Sequence, residues 1–377
     1  MRNFFIFLFI FTVYTPKAAQ AGESKLEKLQ IPEHMATTPA KELHHYVARR
    51  WKAMKGKLAS IDKKKTQLIF LGDSITDAWN RNKTAFTRYY GKYNPQNFAI
   101  GADTTHGVLR RIKEGNLKGF SPKLVVMLIG VNNIAWGPRH TVQQTAEGVL
   151  KVAQTIRKEL PTSKVLIVGL LPRGPRSRDK SFRWLHRYQV NSIVEKYADN
   201  KNVFYTDIGE HLLKEDGVPI DGAYSDGVHL SSKGLELWAA AMDSKVKELM
   251  GEVKTTAKLK CKVSMSVSKG NEGSAVIELV PHREIPQGST VSIYFPSGFQ
   301  LNRSSSKCSI SGKFTALSPR ASLVLSSKVK KKKTLKFSIS NVKNPGYEIK
   351  TADLMIEVRD SKGDLTHRGS SSGIEIK

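Results

Sequence analysis

Residues Gln67–Trp79 read QLIFLGDSITDAW: an apolar run stops at Gly72-Asp73-Ser74, and a segment compatible with a helix, Ile75–Asn82, follows. A serine in that place is ordinarily a turn residue or a helix cap, so its meaning depends on the rest of the chain. Four more apolar runs follow, at Asn97–Ile100, Leu124–Ile129, Val165–Leu170 and Val203–Thr206. Between and after them, Thr141–Leu160, Phe182–Tyr197 and Lys233–Met250 carry helical periodicity, and Pro39–Leu58 does so ahead of them. Continuous apolar runs alternating with helices predict a parallel sheet covered on both faces, an α/β domain whose chemistry collects at the carboxyl ends of the strands.

From about Val253 the pattern changes. KLKCKVSMSVS, SAVIELV, TVSIYF, ASLVLSS, TLKFSIS and DLMIEVRD are short, often alternating stretches rich in Val, Ile, Ser and Thr, divided by Gly, Pro and Asn. They predict an antiparallel β-sandwich over residues 254–377, touching the α/β domain because no long linker intervenes. Cys261 and Cys308 are the chain's two cysteines, and their pairing as a disulfide is expected, contributing about 4 kcal/mol by loop closure.

At the other end, Arg2, the apolar run Phe4–Val13 and Ala19-Gln20-Ala21 predict a secretory leader over residues 1–21, too short to span a bilayer. The remainder, 22–253, is then the α/β domain. The expected product is secreted, periplasmic or extracellular, with no transmembrane span. Of the 377 residues, 40% are hydrophobic and 25% charged, and the formal charge is +28. From Glu252 onward 22 Lys and Arg stand against 10 Asp and Glu, or +12, leaving +16 for the earlier part. Such a field suits an anionic polymer or anionic surface as partner. No helix-turn-helix, RRM or zinc-finger pattern supports nucleic acid.

Ser74 lies at a strand end before a helix, where a developing anion is favoured, but outside the G-x-S-x-G elbow of α/β-hydrolases. Its base is expected in YSDGVHLSSKG, where Asp226 and His229 stand three residues apart just before the last helix. One turn there aims the imidazole at Ser74 while the carboxylate holds its other nitrogen. Asn132 in LIGVNNI and the backbone N–H beyond Gly101, at Ala102 in FAIGADTTH, supply donors for an oxyanion, with the N–H of Ser74 as the third. Trp136, Arg173 and Arg176 are candidates to line the crevice, and Gly101 to meet substrate. Asp103 is read as tying loops together, and His106 and His186 as surface or helix-face residues. Lys330–Lys333 is read as a solvated hairpin with a polyanion contact as its functional alternative. No phosphate loop or metal-ligand cluster appears, and no cofactor is expected.

GDS at Gly72–Ser74, GADTT from Gly101, GVNN at Gly130–Asn133 and DGVH at Asp226–His229 occur in the order of the four blocks of the SGNH (GDSL) hydrolases, which the chain resembles over about residues 40–250. It is most similar to the platelet-activating-factor acetylhydrolase branch, in NFAIGADTTHGVLRRIKEGNL, IGVNN and GLLPRG. The resemblance implies a three-layer, flavodoxin-like α/β fold. It also implies Ser74 as nucleophile, His229 as acid and base, Asp226 as its partner, and Ala102 N–H and Asn132 as oxyanion donors. Two positions depart from the family pattern: Ala102 stands where glycine is usual, and Asn133 replaces the Asp of the general block. The function implied is a serine esterase acting on a short acyl ester, acetyl foremost, of carbohydrate (an O-acetylated polysaccharide) or lipid. The competing expectation is a non-catalytic protein binding a polyanion or the envelope, its hydrolase domain a relic.

Overall fold

Leu68–Gly72 forms β1, and all five of its residues are buried. The computed structural model describes residues 24–135, 140–174, 186–214, 218–252, 257–266, 270–296, 298–301, 306–317, 320–344, 349–350, 354–361, 365–371 and 375–376. The expected leader lies outside them. Helix α1 (His45–Lys57) precedes β1, and α2 (Ser74–Asp77), α3 (Lys83–Tyr90), β2 (Gln96–Asn97) and α4 (Thr105–Lys113) follow it. Next come β3 (Leu124–Leu128), α5 (Val131–Ala135), α6 (Val142–Glu159), β4 (Lys164–Val168), α7 (Arg187–Val194), β5 (Val203–Thr206) and α8 (Ser232–Leu249). The strands pair in parallel in the order β2-β1-β3-β4-β5, the flavodoxin-like arrangement. Although β2 is short, the ladder continues through Phe98 N–H to Phe70 O (2.8 Å) and Ile100 N–H to Gly72 O (3.1 Å), so the apolar run to Ile100 is extended throughout.

The sheet is apolar on both faces because helices cover both, which is why its strands read as unbroken hydrophobic runs. Phe70 of β1 meets Phe86 and Tyr90 of α3 at ring-centroid distances of 5.3 and 4.9 Å, and Trp79 packs on Trp238 of α8 at 5.6 Å. The segment after Ser74 is shorter than the sequence predicts. One α-turn ends at Asp77, and Ala78–Asn80 continues as a single 3-10 turn, so only first-turn N–H groups and no long helix dipole face the strand end. None of the described helices is long and apolar enough to cross a membrane.

The all-β part contains β6 (Ala257–Met265), β7 (Glu272–Pro281), β8 (Thr290–Tyr294), β9 (Gln300–Leu301), β10 (Gly312–Leu317), β11 (Arg320–Leu325), β12 (Leu335–Lys343), β13 (Ile349–Lys350), β14 (Leu354–Arg359), β15 (Leu365–Ser371) and β16 (Glu375–Ile376). Two antiparallel halves, β10-β11-β8-β14-β15 and β6-β7-β12-β9, join through a short parallel pairing of β15 with β6. Their inner faces share one core, including Ile277, Leu279, Ile293, Leu323, Phe337 and Ile356, which makes the unit a sandwich.

The outer face of β8 and β14 is polar yet buried: Ser292 and Glu357 are 4% and 2% exposed. This face meets the α/β domain, where Arg368 of β15 forms a two-pronged ion pair with Glu248 of α8 and a further contact with Glu357. Contact between the two parts follows the expectation; its ionic character does not show in the sequence.

The expected disulfide is a correction. Cys261 and Cys308 are free thiols. Cys261 lies opposite Leu279 of β7, Leu279 opposite Leu335 of β12, and Cys308 bridges to Ile339 of β12 on its far side. Three strand spacings and four residues along the strand put the two Cα atoms about 19 Å apart, far beyond the roughly 7 Å a disulfide tolerates. Burial pushes the Cys261 thiol up to about 12.

Candidate active site

Three strand ends and one loop build the site. At the first, Gly72 passes so close to β3 that a Cβ there would sit 2.3 Å from Leu128 O and 2.6 Å from Thr76 Oγ1. Asp73 then caps α2, its Oδ1 accepting from the N–H of Ile75 at 3.0 Å, and Ser74 opens the helix. Asp73 is fully buried. Burial, reinforced by the Asp103 and Asp77 carboxylates, raises its pKa to about 7. Its partial neutrality limits the negative charge packed beside Ser74, where a further anion has to form. Asp77 is matched by Arg50 at 3.0 Å.

His229 reaches Ser74 from the loop before α8, with its Nε2 2.9 Å from Ser74 Oγ. Its Nδ1 lies 2.7 Å from Asp226 Oδ2. A carboxylate only accepts, so Nδ1 carries the proton and Nε2 is left to accept from the serine hydroxyl. Asp226 Oδ1 also accepts from the backbone N–H groups of Val228 (2.6 Å) and His229 (2.7 Å), so one carboxylate folds the loop and orients the ring. Burial pulls the pKa of Asp226 upward, but the hydrogen bonds from the His229 ring and from these two N–H groups outweigh it and hold the group below the usual carboxylate value.

The loop is braced from behind by the segment after β4, a contribution that the sequence reading missed. Gly174 N–H donates to Gly227 O at 2.9 Å, and Tyr224 O–H donates to Pro172 O at 2.7 Å. A Cβ on Gly174 would stand 2.3 Å from Asp226 O. Gly174→Ala is therefore expected to shift Asp226 and lower kcat about 10- to 100-fold with the fold intact, read by ester turnover alongside circular dichroism. Arg173, half-buried, lies in the chain between Pro172 and Gly174, the two residues that make these braces. Trp136 and Arg176 lie outside the described residues.

On the other flank, Asn132 of α5 is buried and its Nδ2 donates to Asp103 O at 2.8 Å, joining the end of β3 to the turn after β2. That turn closes from Asp103 N–H to Ile100 O, with Ala102 exposed at φ 63°. An L-residue in this left-handed region is strained by about 1 kcal/mol, so the alanine that departs from the family pattern carries a backbone penalty. Ala102→Gly is expected to raise stability by roughly 0.5–1 kcal/mol in urea unfolding. Gly101 is buried against Tyr46 and Asp77, a side chain there meeting Tyr46 Cε1 at 3.3 Å, so it packs the turn against α1 and the end of α2. Asp103 forms a buried ion pair with Arg111 of α4 at 2.8 Å, so its side chain holds the turn to the helix that follows rather than to another loop.

Asn133 pins α5 to α4: its Oδ1 accepts from Thr105 N–H (3.0 Å) and its Nδ2 donates to Thr105 Oγ1 (2.8 Å). The Thr105 hydroxyl spends its proton on Ala36 O, so it presents only lone pairs to residue 133. An amide satisfies them and an aspartate would not, which accounts for the second departure from the family pattern.

Residues 70–237 match the family described as GDSL-like Lipase/Acylhydrolase. The α/β domain belongs to that family. It is a carboxylic ester hydrolase. The GDSL-like domain is 28% identical over 205 residues to the rat platelet-activating factor acetylhydrolase IB subunit alpha1, covering 54% of this chain and 85% of that protein. A Drosophila melanogaster homolog of the beta subunit is 36% identical over 133 residues, covering 33% of this chain and 54% of the relative. Among solved structures, a putative acylhydrolase from Bacteroides fragilis aligns with 19% identity and a TM-score of 0.46 over 55% of this chain and 100% of its own.

Proposed function

We propose that this hydrolase is a serine esterase that removes short acyl groups, acetyl foremost, from ester oxygens of carbohydrate or lipid, and that it works outside the cytoplasm. The observation that carries the reading is the unbroken relay Asp226–His229–Ser74, with heavy-atom separations of 2.7 and 2.9 Å. In the proposed sequence Ser74 Oγ attacks the acyl carbon as its proton passes to His229 Nε2. Asp226 holds the Nδ1–H and stabilises the imidazolium that forms. The tetrahedral oxyanion is met by the N–H groups of Ser74 and Ala102 and the amide of Asn132, each worth about 3 kcal/mol. Collapse returns the proton from His229 to the departing alcohol. A water then repeats the sequence on the acyl-enzyme, releasing the acid and restoring Ser74.

The preference for acetyl is supported by the acetylhydrolase relatives, and the basic field and the leader-like residues 1–21 support action on exported material. A panel of p-nitrophenyl acetate, butyrate and octanoate together with acetylated xylan tests the reading, accompanied by fluorophosphonate labelling. Fastest turnover of acetyl esters and a single label on the peptide bearing Ser74 are expected. Faster octanoate turnover would replace the acetyl preference with a lipase-like one. No turnover and no label would leave the binding-protein alternative standing.

A further inference from the structure

The sandwich has two outer faces of opposite character. One, around Glu357 and Arg368, is buried against α8. The other, formed by β6, β7 and β12, points away across the shared core. Its inward residues, Leu279, Ile277, Phe337 and Ile339, are buried, and its outward ones alternate with them. Lys262 lies opposite Glu278 and Glu278 opposite Lys336, so a Lys-Glu-Lys row crosses three strands, with Lys260 two residues along β6 on the same side. Lys262 and Lys336 are thus about 10 Å apart in strand spacing.

At the end of the same strands stands the turn Lys330–Lys333. It closes from Lys333 N–H to Lys330 O (3.1 Å) and is pinned to β7 by Lys332 N–H to Pro281 O (2.9 Å). Lys332 occupies φ 60°, a backbone region in which glycine or asparagine is the ordinary choice. Among the described residues, the carboxylates near these lysines that form ion pairs are Glu278, bound to Lys336 at 2.8 Å, and Glu284, bound to Lys328 at 3.6 Å. Lys260, Lys262 and Lys330–Lys333 are all exposed and make no ion pair among the described residues. Four adjacent ammonium groups repel one another, and one of them sits on strained backbone. A fixed polyanion relieves that repulsion.

The geometry points to this face as the docking surface for an acidic polysaccharide, which holds the enzyme on a polymer while the catalytic site in the α/β domain remains free. A bilayer fits less well, because the large exposed hydrophobic residues among those described, Met35 and Val218, both lie in the α/β domain and none is on this face to insert. The outward positions of β6, β7 and β12 carry no aromatic ring on which a base could stack. Choosing a polysaccharide among polyanions rests on the ester-hydrolase reading, and the test keeps the two apart by measuring turnover separately.

The experiment compares the full chain with a variant carrying Lys260→Gln, Lys262→Gln, Lys330→Gln, Lys331→Gln and Lys333→Gln. A charge-matched control carries Lys52→Gln, Lys57→Gln, Lys64→Gln, Lys83→Gln and Lys158→Gln. Affinity electrophoresis in polygalacturonate, with neutral dextran as blank, is run at low and high salt beside p-nitrophenyl acetate turnover and melting temperature. Retardation by polygalacturonate that weakens with salt is expected. The sandwich variant should lose about tenfold or more of it, the control variant less than threefold, with turnover and melting unchanged in both. Equal losses in the two variants would reduce the effect to bulk charge and overturn the proposal. So would the absence of retardation, or tighter binding of phosphatidylserine vesicles or duplex DNA at equal charge concentration. Absent turnover with intact, site-dependent retardation would sink the esterase reading and leave the docking surface standing.

Discussion

Ser74→Ala is expected to lower kcat for p-nitrophenyl acetate by about 10⁶-fold, and Asp226→Asn by about 10⁴-fold. The first substitution deletes the attacking oxygen and leaves only oxyanion stabilisation and binding. The second is the more informative because the position has two jobs. Asp226 Oδ1 accepts two backbone N–H groups and Oδ2 accepts the ring Nδ1–H. The asparagine oxygen can keep the backbone pair, so the loop stays folded, but its NH₂ then faces Nδ1 and forces the proton onto Nε2. That nitrogen lies 2.9 Å from Ser74 Oγ and can no longer accept its proton. The expected signature is a collapse of kcat with KM nearly unchanged and unaltered urea stability. Ser74→Ala with wild-type turnover would remove Ser74 from the reaction. A mild Asp226→Asn, within tenfold of wild type, would remove Asp226 as the group that sets the tautomer.

Those residues were legible because each stands at the close of an apolar run or the opening of a helix, positions that a parallel sheet gathers on one edge whatever its detailed packing. Ser74, Asn132 and the Asp226–His229 pair are brought to one end of the sheet by topology alone. The brace of Pro172 and Gly174 was not legible, because it is a contact between two loops about 50 residues apart, and nothing local distinguishes a glycine under a carbonyl from one in a turn. The same limit governs the sandwich. Alternation along TVSIYF and DLMIEVRD puts Ser292, Tyr294 and Glu357 on the polar face, which ordinarily means solvent; here that face is covered by α8. Two cysteines in an all-β segment suggested a bridge, but strand order, which composition does not encode, separates them by three strand spacings.

Arg368→Met is expected to destabilise the protein by about 3–5 kcal/mol at neutral pH while leaving ester turnover unchanged. Arg368 pairs with both carboxylates of a largely buried cluster, Glu248 and Glu357. Lys245 lies 3.3 Å from Glu248, and Arg359 lies 3.3 Å from Glu357. Removing the one cation that touches both carboxylates leaves two buried anions with weaker partners, a state more costly than the intact cluster or an apolar replacement of it. Burial raises the pKa values of Glu248 and Glu357, but the surrounding cations more than offset it and hold both below the ordinary value. Depressed carboxylates contribute stability above the unfolded value of about 4.3, and it is lost as pH falls through the lower folded values. The contribution is therefore complete at pH 7, and the difference between wild type and Arg368→Met should shrink below about pH 4. The cluster sits at the far end of α8, 17 residues beyond Ser231 and about 25 Å from it along the helix, so the His229 loop should not feel the change. All five tryptophans precede residue 254, so their fluorescence reports the GDSL-like domain alone, whereas circular dichroism reports both parts. Coincident urea transitions by the two probes in the wild type, separating in Arg368→Met, would show that this cluster couples the two cores. Restoration of the common transition by adding Glu248→Leu and Glu357→Leu would confirm that the loss came from unpaired charge, whereas a shift under 1 kcal/mol in the single variant would mean that apolar contacts hold the sandwich in place.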